Sequence, residues 1–186
     1  SDARNNLITA LQLAGLKRDD RSVVREVCIY FDYELLRANR SKKIESDHFD
    51  AFHSENYPVL AQVGVDLELQ EHYLWRNSPD QALTFKNDFS KDVFIWKIFP
   101  GMNAKGIANI LFKAGFSGIV METYGSGNGP TNKEFLMEIE QMVKNEMVIL
   151  NVSQCLGGSV RQGRYATSKK LEEYGVLSGK DITTEA

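Results

Sequence analysis

The 186-residue sequence holds no apolar run approaching the ~20 residues that a membrane-crossing helix needs, and its first residues are polar. Neither a spanning segment nor a secretory leader is expected, and no membrane partner. Cysteine is scarce. Cys28 and Cys155 lie far apart inside separate apolar runs, which reads as two reduced thiols rather than a disulfide framework and makes cytoplasmic location the expectation. An excess of one charge is missing too: 22 basic and 25 acidic residues are well mixed and give a formal net charge of -3. That balance leaves no electrostatic footprint for nucleic acid or anionic lipid, so small-molecule partners are favoured. The three histidines, His48, His53 and His72, show no metal-ligand arrangement with cysteines or carboxylates, and no metal is expected. Solenoid repeats and low-complexity tracts are absent.

What is present suffices for a core: 42% of residues are hydrophobic, which fits one large domain or two small ones. From Asp2 to Leu16 the apolar positions Leu7, Ile8, Leu11 and Ala14 fall at helical spacing, and Gly15 breaks the pattern. Val23 to Leu36, with the unbroken run Val27 to Phe31, reads as one buried strand of the kind a parallel sheet encloses. Residues 37–92 are more irregular. Asn56-Tyr57-Pro58, Asn77-Ser78-Pro79 and Asn87-Asp88 mark turns, Val65 to Leu74 reads as a hairpin, and a linker is expected at 77–92.

The second half repeats a strand-loop-helix unit, with strands beginning near Val93, Gly118, Met147 and Gly175. That spacing predicts right-handed parallel crossovers. Asn103 is expected to cap a helix that Gly115 ends, Thr131 and Glu134 to form a capping box, and Ser168 to Tyr174 to form a third helix. Ligands of an open parallel sheet gather beyond the carboxyl ends of its strands. The loops to search are therefore Phe99 to Gly101, Tyr124 to Pro130, Ser153 to Arg164, and Ser178 to Thr184.

The glycine turn Gly125 to Lys133 has neither the Gly-Lys-Ser/Thr ending of a phosphate loop nor dinucleotide spacing, so a tight strand-to-helix turn outweighs a nucleotide site there. A flavodoxin-like nucleotide-binding domain stays open as an alternative. Cys155 lies away from all three histidines in sequence, which argues against a thiol nucleophile. The segment Arg37-Ala38-Asn39-Arg40-Ser41-Lys42-Lys43 reads, by itself, as a solvated basic loop.

Several dispersed strings nevertheless agree in order and spacing with one family. Asn6 to Leu11, Arg37 to Lys43, Phe49-Asp50-Ala51-Phe52, Gly125 to Pro130, Ser153-Gln154-Cys155 and Gly179-Lys180-Asp181 resemble the cytoplasmic (type I) L-asparaginases over essentially the whole chain. The resemblance implies an α/β fold: the remainder of an N-terminal parallel α/β domain at 1–76 and a smaller flavodoxin-like parallel-sheet domain at 93–186. It implies hydrolysis of L-asparagine to L-aspartate and ammonia through a threonine acyl-enzyme, without a cofactor, by a homodimer or homotetramer. Lys43 matches the catalytic lysine of that family. Asn128, Ser153, Gln154 and Cys155 match residues at a substrate or effector site, at which allosteric members carry arginine where this chain has Glu122. Ala38 and Lys42 replace a glycine and a threonine of the family pattern. The family's nucleophilic threonines sit in a Thr-Gly-Gly-Thr turn and a later Gly-Thr-Asp turn, and neither string occurs in these residues. The chain is thus expected to be a piece of a longer enzyme, cut at both ends and inactive alone. A noncatalytic amino-acid-binding or regulatory module is the alternative from another class.

Overall fold

The computed structural model describes residues 2–48, 50–76, 84–163 and 166–186. It resolves into two compact units, 1–85 with 185–186, and 86–184. The expected linker at 77–92 and the turn at Asn77-Ser78-Pro79 fall wholly or partly outside the described residues, as do Phe49 and Arg164.

Unit 1 begins with helix α1 (Asp2–Ala14). Of its apolar positions Leu13 is buried in the core, while Leu7, Ile8 and Leu11, the stripe that betrays the helix in the sequence, are exposed. Short strands follow: β1 (Lys17–Arg18), β2 (Arg21–Ser22), β3 (Cys28–Phe31), β4 (Glu34–Arg37), β5 (Lys42–Lys43), β6 (Phe52–His53), β7 (Ala61–Val63) and β8 (Leu67–Leu69). Their described ladders are all antiparallel, with β3-β4-β7-β8 forming a four-stranded sheet. The single strand expected over Val23 to Leu36 is instead a hairpin, turned at Asp32 and Tyr33 with φ of 43° and 66°. Two consecutive left-handed residues make a turn whose twist matches its strands, and aspartate tolerates that region better than most side chains. Val27 accordingly lies exposed ahead of β3. The hairpin expected at Val65 to Leu74 starts earlier, pairing Ala61 with Leu69 and Val63 with Leu67. Leu13, Leu35, Leu60, Ala61 and Leu74 form the core of this unit.

Unit 2 is the regular half. Strands β9 (Val93–Lys97), β10 (Gly118–Thr123), β11 (Val148–Ser153) and β12 (Leu177–Ser178) lie parallel in sequence order. Helices α2 (Ala104–Ala114), α3 (Lys133–Lys144) and α4 (Ala166–Glu173) connect them. Every crossover advances the sheet in the same direction, so right-handedness puts all three helices on one face. Trp96, Ile119, Met121 and Ile149 pack there against Leu111, Phe135, Ile139, Met142 and Leu171. Each such side chain contributes about 1.5–3 kcal/mol of burial.

The caps explain the loop conformations that frame the site. Asn103 Oδ1 accepts from Gly106 N at 2.9 Å, and Gly115 ends α2 at φ 77°. The cap of α3 is Asn132, whose Oδ1 accepts from Phe135 N at 2.8 Å. This replaces the expected capping box of Thr131 and Glu134 by a cap one residue later, on a side chain equally suited to take an orphan helix N–H.

Candidate functional site

The carboxyl ends of β9, β10 and β11 are sewn together by side chains that lie within otherwise apolar runs. Asn151, fully buried in β11, accepts from the Thr123 hydroxyl at 2.6 Å and donates Nδ2 to Gly127 O at 3.1 Å. A buried amide with both ends satisfied fixes the turn after β10 relative to the sheet. That turn runs from Tyr124 to Asn128, whose backbones exchange two hydrogen bonds of 2.9 Å. Gly127 stands at φ 103°, and a Cβ there would come within 2.6 Å of Val160 Cγ1. Both backbone and space therefore demand glycine.

Ser153 and Gln154 close the same network. The Ser153 hydroxyl donates to Gly125 O at 2.6 Å and accepts from Cys155 N at 3.0 Å. Gln154 Nε2 donates to Ile98 O at 2.7 Å and Glu122 O at 2.8 Å, which bridges all three strand ends. Glu122 is 9% exposed; its Oε1 accepts from the Thr184 hydroxyl at 2.6 Å, and Lys97 Nζ lies 3.8 Å from Oε2. Asn128 Oδ1 is buried without a donor, and so is the Tyr124 hydroxyl without a partner, among the described residues. A buried carbonyl oxygen in that state forgoes the hydrogen bonds it would make in water. A cavity of about 350 Å³ is bounded by Phe99, Met102, Tyr124, Pro130 and Phe135.

Glu122, Asn128, Ser153, Gln154 and Cys155 are thus gathered at neighbouring strand ends of unit 2 through backbone and side-chain contacts. Lys43 belongs to unit 1. It ends β5 opposite Phe52, is exposed, and has no ion pair among the described residues. The segment leading to it is firmly held: Arg37 forms a two-pronged ion pair with Glu26, donates to Tyr73 O at 2.9 Å, and lies 4.1 Å above the Tyr57 ring. Its pKa is raised foremost by the hydrogen bonds it donates to Glu26. The Ser41 hydroxyl then donates to Arg37 O at 2.7 Å across the 3-10 turn Ala38–Arg40.

Both thiols are free. Burial, with Glu26 second, pushes Cys28 up to about 11, which makes it inert at neutral pH; Cys155 is exposed. Among the described residues no group of three or more histidine, cysteine or acidic side chains is placed to hold a metal, and no helix is long and apolar enough to cross a membrane. Sequence reading missed Asn151, Thr123 and the Glu26 clamp. For Asn151 a signal existed, since an amide in the middle of Val148–Ser153 has to find partners inside the fold.

Comparison with known proteins agrees with this architecture. Residues 92–186 match the Glutaminase/Asparaginase C-terminal domain and residues 1–75 the N-terminal asparaginase domain. The 60 kDa lysophospholipase of Mus musculus is 36% identical over the whole chain, which covers 32% of that protein. L-asparaginase 1 of Escherichia coli (strain K12) is 33% identical, with all of this chain and 53% of that protein covered. The crystal structure of L-asparaginase I from Vibrio cholerae superposes with a TM-score of 0.88 at 32% identity, over the full chain and 54% of that structure. The chain spans from about a third to about half the length of these relatives. With the mixed α/β fold, the parallel sheet of unit 2 and both domain matches in order, the chain belongs to the glutaminase/asparaginase family.

Proposed function

We propose that these residues are part of an L-asparagine amidohydrolase, which converts L-asparagine and water to L-aspartate and ammonia through a threonine acyl-enzyme. One observation carries the reading: both family domains match in order, over 1–75 and 92–186. In this proposal 1–76 and 93–186 are separate domains joined through 77–92. Lys43 supplies an uncommitted ammonium that stabilises developing charge and helps activate the threonine hydroxyl. The threonine comes from a segment with Thr-Gly-Gly-Thr and Gly-Thr-Asp turns, strings these residues do not contain. The 186 residues alone do not turn over.

Asn128, Ser153, Gln154 and Cys155 form an amino-acid site at the strand ends, used by substrate on a neighbouring copy or by asparagine as an effector. Glu122 suits a ligand's ammonium and repels its carboxylate, so effector binding is weakened relative to members with arginine there. The working enzyme is a cytoplasmic homodimer or homotetramer. To test the reading, ammonia release is measured for the chain alone and for the chain joined in frame to the corresponding N-terminal segment of the E. coli relative. Turnover is expected only in the joined protein, and Lys43→Ala should lower its kcat by about 10²–10³-fold. Unchanged kcat would remove Lys43 from the mechanism. The second reading is a noncatalytic amino-acid-binding module; asparagine binding without turnover in the joined, folded protein would support it.

A further inference from the structure

We propose that the groove around Trp75 in unit 1 binds a nucleoside phosphate, with the base against the indole and the phosphates among Arg21, Arg25 and Arg76. Two cavities adjoin there, of about 510 and 670 Å³, and both are lined by Arg25 and Trp75. Either volume lies within the range of small-ligand sites.

The charge distribution selects the ligand. Six of the chain's nine arginines line the two cavities, in a protein whose formal net charge is -3. The carboxylates nearby are largely committed. Glu71 pairs with Arg18 at 2.8 Å, which lowers the Glu71 pKa and raises that of Arg18. Glu26 clamps Arg37 and also accepts from Trp75 N at 2.7 Å. Asp19 is the further acid on the rim. Arg21 and Arg25 form no ion pair with a carboxylate among the described residues, and Arg76, also without a close ion pair there, acts on Glu71 only as a weaker, more distant charge than Arg18. Arg25 is aimed by its own backbone contact, Nε donating to Ser22 O at 2.8 Å, which leaves its terminal nitrogens for another acceptor. Planar guanidinium groups grip phosphate oxygens by paired, charge-assisted hydrogen bonds.

Between these cations Trp75 is 58% exposed as a residue, while its backbone is fixed by Glu26 and Arg37 lies 5.8 Å from the ring centre. A large exposed indole on a tethered backbone is a stacking platform, and Val23 and Leu74 supply apolar floor beside it. Bare inorganic anions would use the arginines and leave the indole idle. A flat base carrying phosphate uses both. This site is remote in sequence from the glycine turn of unit 2 and does not depend on the amidohydrolase reading.

Tryptophan fluorescence reads the proposal on the 186-residue chain, because Trp75 is exposed and the only other indole, Trp96, is 2% exposed in the core of unit 2. Titration with ATP should quench saturably, and Trp75→Phe should abolish that signal. By calorimetry Arg21→Gln/Arg25→Gln should bind ATP about tenfold or more weakly, with the circular dichroism of the parent. Arg76→Gln alone should weaken it as well, which serves where the double variant fails to fold. Adenosine and tripolyphosphate should each bind more weakly than ATP. Absence of saturable binding, undiminished affinity in the arginine variants, tripolyphosphate binding as tightly as ATP, or binding of a single-stranded oligonucleotide but not of ATP would each overturn the proposal.

Discussion

Cys28 and Cys155 show how far two identical side chains diverge with their surroundings. Cys28 sits on β3 beside Glu26, and burial raises its pKa from 9.0 to about 11. Cys155 lies past the end of β11, exposed, its N–H held by Ser153. Thiolates are the species that alkylate, so below pH 9 iodoacetamide should label Cys155 and spare Cys28 in the folded chain, as mass spectrometry of the peptides would record. The linkage has a definite sign. The unfolded chain ionises Cys28 at the lower pKa, so the stability contributed by the neutral buried thiol is complete below about pH 9 and is lost as pH rises toward about 11. Urea midpoints should therefore fall across that window, and fall less steeply in Cys28→Ala. Equal slopes would mean that burial at this position is not what holds the proton.

At the scale of elements, unit 2 could be read from its sequence and unit 1 only in part. Strands β9 to β11 are apolar runs separated by helices with caps and glycine stops, so period, length and punctuation agree. The strand expected over Val23 to Leu36 failed because its turn uses Asp32 and Tyr33 instead of glycine or asparagine, so the charged break at Asp32 and Glu34 carries no turn signature. The strand-end residues around Asn128 were legible as loop chemistry, whereas the partners that hold them, Thr123 and Asn151, were hidden in strands where only three-dimensional register reveals them. The cap of α3 offers a direct check. Because Asn132 makes the bond to Phe135 N, Asn132→Ala should cost about 1 kcal/mol, whereas Thr131→Ala should stay within about 0.5 kcal/mol. Chemical denaturation of both variants would measure the difference, and the reverse order would restore Thr131 as the cap.

Across the whole molecule, the distribution of apolar surface is the least balanced feature. A purely parallel sheet is normally covered on both faces, yet α2, α3 and α4 all occupy one face of β9-β10-β11-β12. On the other face the segment 179–184 covers only the carboxyl end, through Gly179 N to Asn151 O and Thr184 to Glu122, so Val152 is buried there. Val93, Ile95, Val148 and Leu177 remain exposed, Ile95 by 54% and Val148 by 57%. Helix α1 adds Leu7, Ile8 and Leu11 in unit 1. Contiguous apolar patches of this kind take up hydrophobic probes. The folded chain should therefore enhance the fluorescence of an anilinonaphthalene dye, and Ile95→Lys/Val148→Lys should remove a large part of that signal while preserving the near-ultraviolet circular dichroism of the buried Trp96. A double variant that binds the dye as strongly as the parent would assign the signal to α1, and Leu7→Lys/Leu11→Lys would then have to abolish it; dye binding unaffected by either pair would show that both apolar faces are covered in solution.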